Sequence, residues 1–176
     1  LDTQQPAFGP VISKRRNLNL MPSLLLTNAN RVINKLDDLH LITLHYQIDI
    51  IAITETWLTG NIVNSAVALP NFTIFRHDRK HGIGGGVMCY IADSICARVL
   101  DLAASDDDDF EIFWVLLRPR LLPRPLSCII LSVVYCPPWY CAEKCKALSN
   151  YIVQCVDKLS RKYADPCFLL LGDFNS

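Results

Sequence analysis

The sequence has no excess of either charge. Seventeen Lys and Arg residues balance seventeen Asp and Glu, so no overall field draws the chain to nucleic acid or to an anionic membrane, and any such attraction must come from a local patch. It also has no long apolar run. The most apolar stretch, "LSCIILSVVYCPP" at 126 to 138, falls short of the roughly 18 residues that span a bilayer and ends at prolines, which marks a buried strand and no membrane segment. Eight cysteines are present, but none forms a C-x-x-C pair, and Cys89, Cys128 and Cys167 lie inside apolar runs, where thiols act as small hydrophobes. Cys136, Cys141 and Cys145 could in principle hold zinc, yet their spacing matches no usual finger and no histidine is near. The opening "LDTQQPAFGP" lacks the charged start and apolar core of a signal peptide. The expectation is an intracellular location, nucleus or cytoplasm, with reduced thiols.

What is present is a core. Hydrophobic residues make up 51% of 176, enough for one globular domain. Residues 1 to 22 mix Pro, Gln, Asn and Arg without periodicity and read as a flexible leader, leaving 23 to 176 as the domain. "SLLLTNAN" (23 to 30) reads as a strand, and "RVINKLDDLHLITLHY" (31 to 46) as a helix with Val32, Leu36 and Leu39 on one face. "IDIIAITETWL" (48 to 58) is a β-branched buried strand. "FTIFRHDR" (72 to 79) and "GGVMCYIAD" (85 to 93) are strands joined through glycines. Four of the seven glycines fall between 82 and 86, but a phosphate-cradling loop opens a helix and these run into a strand, which favours a turn. "DDDD" at 106 to 109 reads as a solvated loop. "FEIFWVLLRP" (110 to 119) and "LSCIILSVVYCPP" are further strands. Cys145, Leu148, Ile152, Cys155, Val156 and Leu159 recur at helical spacing over 141 to 163, and "PCFLLLGDFNS" closes the sequence as a strand. No internal repeat is present.

Several of these strands end on polar residues: Asn28, Glu55, Tyr135, Asp173 and Asn175. Carboxylate and amide oxygens suit a hard cation, a further carboxylate can align an attacking water, and Tyr and Asn can donate to phosphate oxygens, the set a metal-assisted phosphate hydrolase needs. Taken singly, each has a plainer reading. A strand-end carboxylate is commonly a cap or turn residue, and Tyr135 could be a core ring with a satisfied hydroxyl.

In order, "SLLLTNANRVINKLDDL", "IDIIAITETWL", "LPNFTIFRHDRKHGIGGGVMCYIADS", "FEIFWVLL", "LSVVYCPP" and "FLLLGDFNS" resemble the endonuclease/exonuclease/phosphatase superfamily. The resemblance is nearest to the apurinic-endonuclease-like domain of non-LTR retrotransposons. It covers residues 23 to 176 and implies an α/β fold of two face-to-face sheets with outer helices, the deoxyribonuclease-I-like sandwich. It also implies Mg²⁺-dependent cleavage of DNA, with Mn²⁺ as a possible substitute, and a reverse transcriptase domain in the full polyprotein. By motif, Glu55 of "TETW" is the principal metal ligand and Asn28 of "TNAN" a second. Tyr135 of "VVYCPP" contacts the scissile phosphate, Asp173 of "GDFN" positions or deprotonates the water, and Asn175 bonds the phosphate as charge develops. Asn30 stands where some relatives carry an acid, and "GIGGG" and "FEIFWV" are expected to be structural.

Family members continue past "GDFN" into a carboxyl-terminal third that ends in Ser-Asp-His. None of the four histidines here, at 40, 45, 77 and 81, occupies that motif. The expectation is therefore an incomplete domain, weakly active or inactive, with an open second sheet and "CIILSVVY" (128 to 135) as an exposed, aggregation-prone strand. The alternatives are a phosphatase of the same superfamily acting on small phosphate esters, and a non-catalytic remnant.

Overall fold

A computed structural model of the chain describes residues 20 to 102 and 110 to 175. Strand β1 (Leu24–Asn28) leads through a 3-10 turn at Val32–Lys35 into helix α1 (Leu36–His45), then β2 (Ile50–Thr54), a second 3-10 turn, and the hairpin β3 (Phe72–His77) and β4 (Val87–Ala92). There follow β5 (Cys96–Val99), β6 (Glu111–Arg118), β7 (Cys128–Tyr135), helix α2 (Ala142–Lys162) and β8 (Pro166–Asp173). The strands form two mixed sheets of four, ordered β1-β2-β4-β3 and β5-β6-β7-β8. Each contains one parallel pair, β1 with β2 and β7 with β8.

The alternation of side chains along each strand explains the layering. On β7, Ile129, Leu131, Val133 and Tyr135 join Ile50, Ala52, Val87, Cys89 and Ile91 of the other sheet in the central core. The intervening Cys128, Ile130 and Val134 pack with Leu148, Cys155 and Leu159 of α2. Ile51, Ile53, Met88 and Tyr90 face Val32 and Leu39 on the outer side of the first sheet. Strands apolar on both faces are what a sheet covered on both sides requires, and the result is the expected α/β two-sheet sandwich with outer helices. Among the described residues, no helix is long and apolar enough to cross a membrane.

One expectation is corrected. Strand "CIILSVVY" is buried at all eight positions, because β7 lies inside its sheet, hydrogen-bonded to β6 on one side and β8 on the other. Within the strands, the exposed large apolar residues lie on edge strands instead: Leu24 and Leu26 of β1, Val99 of β5 and Leu170 of β8. Two expectations fall outside the described residues, the acidic run at 106 to 109 and nearly all of the leader; within the leader's span, Met21 packs against the central core. The sequence pattern also missed β5, whose four residues include Arg98 and are mostly exposed.

The two kinds of position on the second sheet predict opposite mutational outcomes. Leu131→Ala, in the fully buried middle of β7, should cost about 2–5 kcal/mol in urea unfolding. Leu170→Lys, at a side chain 40% exposed, should leave stability within about 0.5 kcal/mol while lowering light scattering of concentrated protein.

Candidate active site

Parallel pairing delivers the carboxyl ends of β1 and β2 to the same end of the first sheet, and those of β7 and β8 to the same end of the second. Where these ends meet, Glu55, Asn28, Tyr135 and Asp173 bond to one another across the sandwich. Asn28 Nδ2 donates to Glu55 Oε1 at 3.0 Å and to Asp173 Oδ2 at 3.4 Å. The Tyr135 hydroxyl donates to the same Glu55 Oε1 at 3.0 Å. Asp173 Oδ1 accepts from the Asn175 backbone N–H at 3.3 Å, and the Asn175 amide donates to the Cys136 carbonyl at 3.2 Å. All five residues singled out in the sequence thus converge.

The backbone here is bent into uncommon shapes. Glu55 has φ 52° and Trp57 φ 56°, while Asn30, Arg31 and Asn175 also carry positive φ. Left-handed conformations cost a side-chain-bearing residue about 1–2 kcal/mol and persist only where surroundings impose them. The surroundings are visible on both sides. Arg31 N–H and Val32 N–H donate to the carbonyls of Glu55 and Thr56, and Thr56 N–H and Trp57 N–H donate to those of Gly86 and Gly85. The segment carrying Glu55 is clamped between the end of β1 and the glycine run.

That run was read as a strand connection, and it is also the floor of the site. A side chain on Gly84 would meet the Trp57 ring, one on Gly85 the Arg79 guanidinium, and one on Gly86 the Thr56 hydroxyl, and all three glycines have positive φ. Close approach by neighbouring groups explains why glycine is needed there. Arg79, overlooked in the sequence, donates through Nε (2.8 Å) and Nη2 (2.5 Å) to Glu111 Oε1, while Glu111 Oε2 accepts the Gly86 N–H. Its guanidinium also lies over the rings of Tyr135, at 5.8 Å, and Trp139, at 5.0 Å. Glu111 opens the "FEIFWV" strand and is buried. Nothing in local sequence ties it to Arg79, 32 residues away; the crowding of four glycines beside a cation was the one legible signal.

The electrostatics follow from these contacts. Burial alone would raise the Glu55 carboxyl, but hydrogen bonds from Asn28, Tyr135 and Trp57 and the charge of Arg79 together outweigh it and hold the group below its usual range. Burial, reinforced by the adjoining Glu55 carboxylate, pushes the Tyr135 hydroxyl well above its ordinary value. At neutral pH the pair is therefore an ionised carboxylate and a protonated phenol.

The donor set fits a hard divalent cation. Glu55 and Asp173 bring carboxylate oxygens to one amide nitrogen, and Glu55 Oε2 has only a 3.5 Å contact from Trp57 Nε1, which leaves it the less committed oxygen. Two carboxylates with one amide are a sparse set, the kind Mg²⁺ completes with water. Asn28 does not present its oxygen: Oδ1 accepts the Asn30 N–H at 3.1 Å, so direct ligation by Asn28 requires its amide to turn over. The cysteine trio does not assemble as a metal site. Cys136 and Cys145 lie with sulfurs 3.7 Å apart, but Cys141 is exposed, and no group of three metal-ligating residues occurs among the described residues.

No family model matches the sequence, and no curated protein matches it. Solved structures do. The human Nocturnin catalytic domain with bound sulfate superposes with TM-score 0.60 at 13% identity, covering 88% of this chain and 65% of that one. An AP endonuclease, LMAP from Leishmania major, gives TM-score 0.65 at 15% identity, covering 85% and 54%. TDP2 from D. rerio, complexed with single-strand DNA product, gives 0.56 at 13%, covering 88% and 61%. The fold is the endonuclease/exonuclease/phosphatase sandwich. The chain spans between 54 and 65% of the length of these three structures.

Two measurements check the site. Glu111→Ala removes one partner of a pair whose side chains are 11% and 3% exposed, and leaving Arg79 uncompensated should cost about 3–5 kcal/mol in urea unfolding. The depressed Glu55 value has a defined sign: its contribution to stability is complete above the unfolded carboxylate's 4.5 and fades as pH falls through the lower folded value. Glu55→Gln should therefore flatten the acid limb of the stability curve below that point and leave the neutral region parallel to wild type.

Proposed function

We propose that this site hydrolyses phosphodiesters of DNA with a bound divalent cation, Mg²⁺ or Mn²⁺. The observation that carries the reading is the four-residue junction of Glu55, Asn28, Tyr135 and Asp173 across the two sheets. Glu55 would be the principal metal ligand, and Asn28 would join it only through the oxygen that now accepts the Asn30 N–H. A cation held there supplies Lewis-acid stabilisation of charge on the phosphate.

The chain's own residues supply the rest. Tyr135 stays protonated and can donate to a phosphate oxygen. Asp173, oriented by the Asn175 N–H, accepts a hydrogen bond or proton from the attacking water. Asn175 exchanges its Cys136 carbonyl contact for a phosphate oxygen as negative charge builds there. The AP endonuclease and the DNA-bound TDP2 with the same fold support DNA as substrate. The order of motifs supports a retrotransposon origin, and with it a reverse transcriptase domain in the full polyprotein; translating the genomic frame downstream of Ser176 tests this directly.

Nicking of supercoiled plasmid by the isolated chain should be weak, require Mg²⁺ or Mn²⁺ and stop with EDTA. Glu55→Gln and Asp173→Asn should each lower it by about a hundredfold or more with unchanged circular dichroism. Metal-independent nicking, or nicking that survives both substitutions in a folded protein, rejects the assignment.

A further inference from the structure

Two thiols meet where the second sheet hands over to its helix. Cys136 directly follows β7 and Cys145 lies in the first turn of α2, nine residues apart in sequence, with their sulfurs 3.7 Å apart. A disulfide bond is about 2 Å long, so a shift of less than about 2 Å separates this contact from a covalent one. The backbone of Cys136 is held by the end of β8: its N–H donates to the Asp173 carbonyl at 2.8 Å, and its carbonyl accepts from the Asn175 amide at 3.2 Å. Cys145 belongs to a helix end, where part of the hydrogen bonding is missing and small displacements are less costly. The first turn of α2 is therefore the side that moves.

The two thiols differ in what reaches them. Cys136 is 4% exposed, and burial, reinforced by the Cys145 thiol and by Asp173, pushes it up to about 11. Cys145 is half-buried. Because the thiolate is the attacking species, an oxidant arriving from solvent meets Cys145 first.

We propose that Cys136 and Cys145 are an oxidisable pair, converted to a disulfide by small-molecule disulfides such as oxidised glutathione, and that the bridge fastens the first turn of α2 to the end of β7 beside the candidate active site. The Cys145 thiolate attacks one glutathione sulfur, forming a mixed disulfide and releasing one glutathione. Cys136 then loses its proton to solvent and attacks the Cys145 sulfur, expelling the second glutathione, which takes up a proton. Two protein thiols are oxidised and one glutathione disulfide is reduced to two thiols. The second step is favoured by position, since the sulfur attacked is already in contact with the attacker. The pair needs no hydrolytic activity, so it stands or falls separately from the nuclease reading.

The test treats the reduced full chain with oxidised glutathione in the absence of air. Chymotrypsin and trypsin, cutting after Tyr140 and Lys144, then place Cys136, Cys141 and Cys145 on separate peptides. The expected product is the Cys136 peptide bonded to the Cys145 peptide, with no glutathione retained and with release by dithiothreitol. Cys141→Ser should leave this bridge intact, whereas Cys136→Ser should stop at glutathione bound to Cys145. Glutathione held on Cys145 of the wild type without a cross-link, or a bridge to the exposed Cys141 in place of Cys136, overturns the proposal. Oxidised wild type should melt about 5–10 °C above the reduced protein, as closing a short loop predicts, and Cys145→Ser should melt alike under both conditions. A wild-type midpoint that stays or falls on oxidation also overturns it, and this comparison needs no substitution that could disturb folding.

Discussion

The Glu55 carboxylate is the point at which the two sheets of this protein recognise each other. One of its oxygens accepts from Asn28 in the first sheet and from Tyr135 in the second. An ionised carboxylate between two donors is worth more than either neutral bond alone, and it fixes the relative position of two sheets otherwise joined by non-directional apolar packing. Sliding of one sheet on the other by a single residue would keep much of the hydrophobic contact and lose the two bonds that cross between them, Tyr135 to Glu55 and Asn28 to Asp173. The polar junction thus specifies an alignment that the core leaves loosely defined.

The same junction depends on parts remote from it. The left-handed turn at Glu55 exists because the glycine run accepts two backbone hydrogen bonds from it and leaves room for Trp57, Thr56 and Arg79. The glycine run in turn is anchored by Glu111 through the Gly86 N–H. Arg79, bound to that same carboxylate, lies against Tyr135. A closed circuit of contacts therefore leads from Glu55 through the glycines, Glu111 and Arg79 to Tyr135 and back to Glu55.

Most of the architecture was legible because it is written in periodicity. The β-branched run at Ile50–Thr54 and the helical spacing of Leu148, Cys155 and Leu159 each dictate one local structure, and the chain adopts it. The five strand-end polar residues were legible for a similar reason, since an apolar run that stops on a carboxylate or amide leaves that group at a sheet end. Arg79, Glu111 and Trp139 were not. A single cation in a hairpin, a carboxylate at the first position of an apolar strand and a tryptophan after two prolines each have ordinary local explanations, and only tertiary folding brings them within one another's reach. The exposure expected of "CIILSVVY" failed for a related reason: burial of a strand is decided by its neighbours in the sheet, and sequence order gives no direct view of which strand lies at the edge.

The opposing displacements of Glu55 and Tyr135 have a consequence for proton traffic. With the acid shifted down and the phenol shifted up, neither changes its proton count anywhere near neutrality, so this pair is electrostatically constant across the range in which cells vary. It can serve as a fixed template of one negative charge and one donor hydrogen, but it cannot act as a titrating switch. A response of this centre to physiological acidity therefore does not begin with the Glu55–Tyr135 pair.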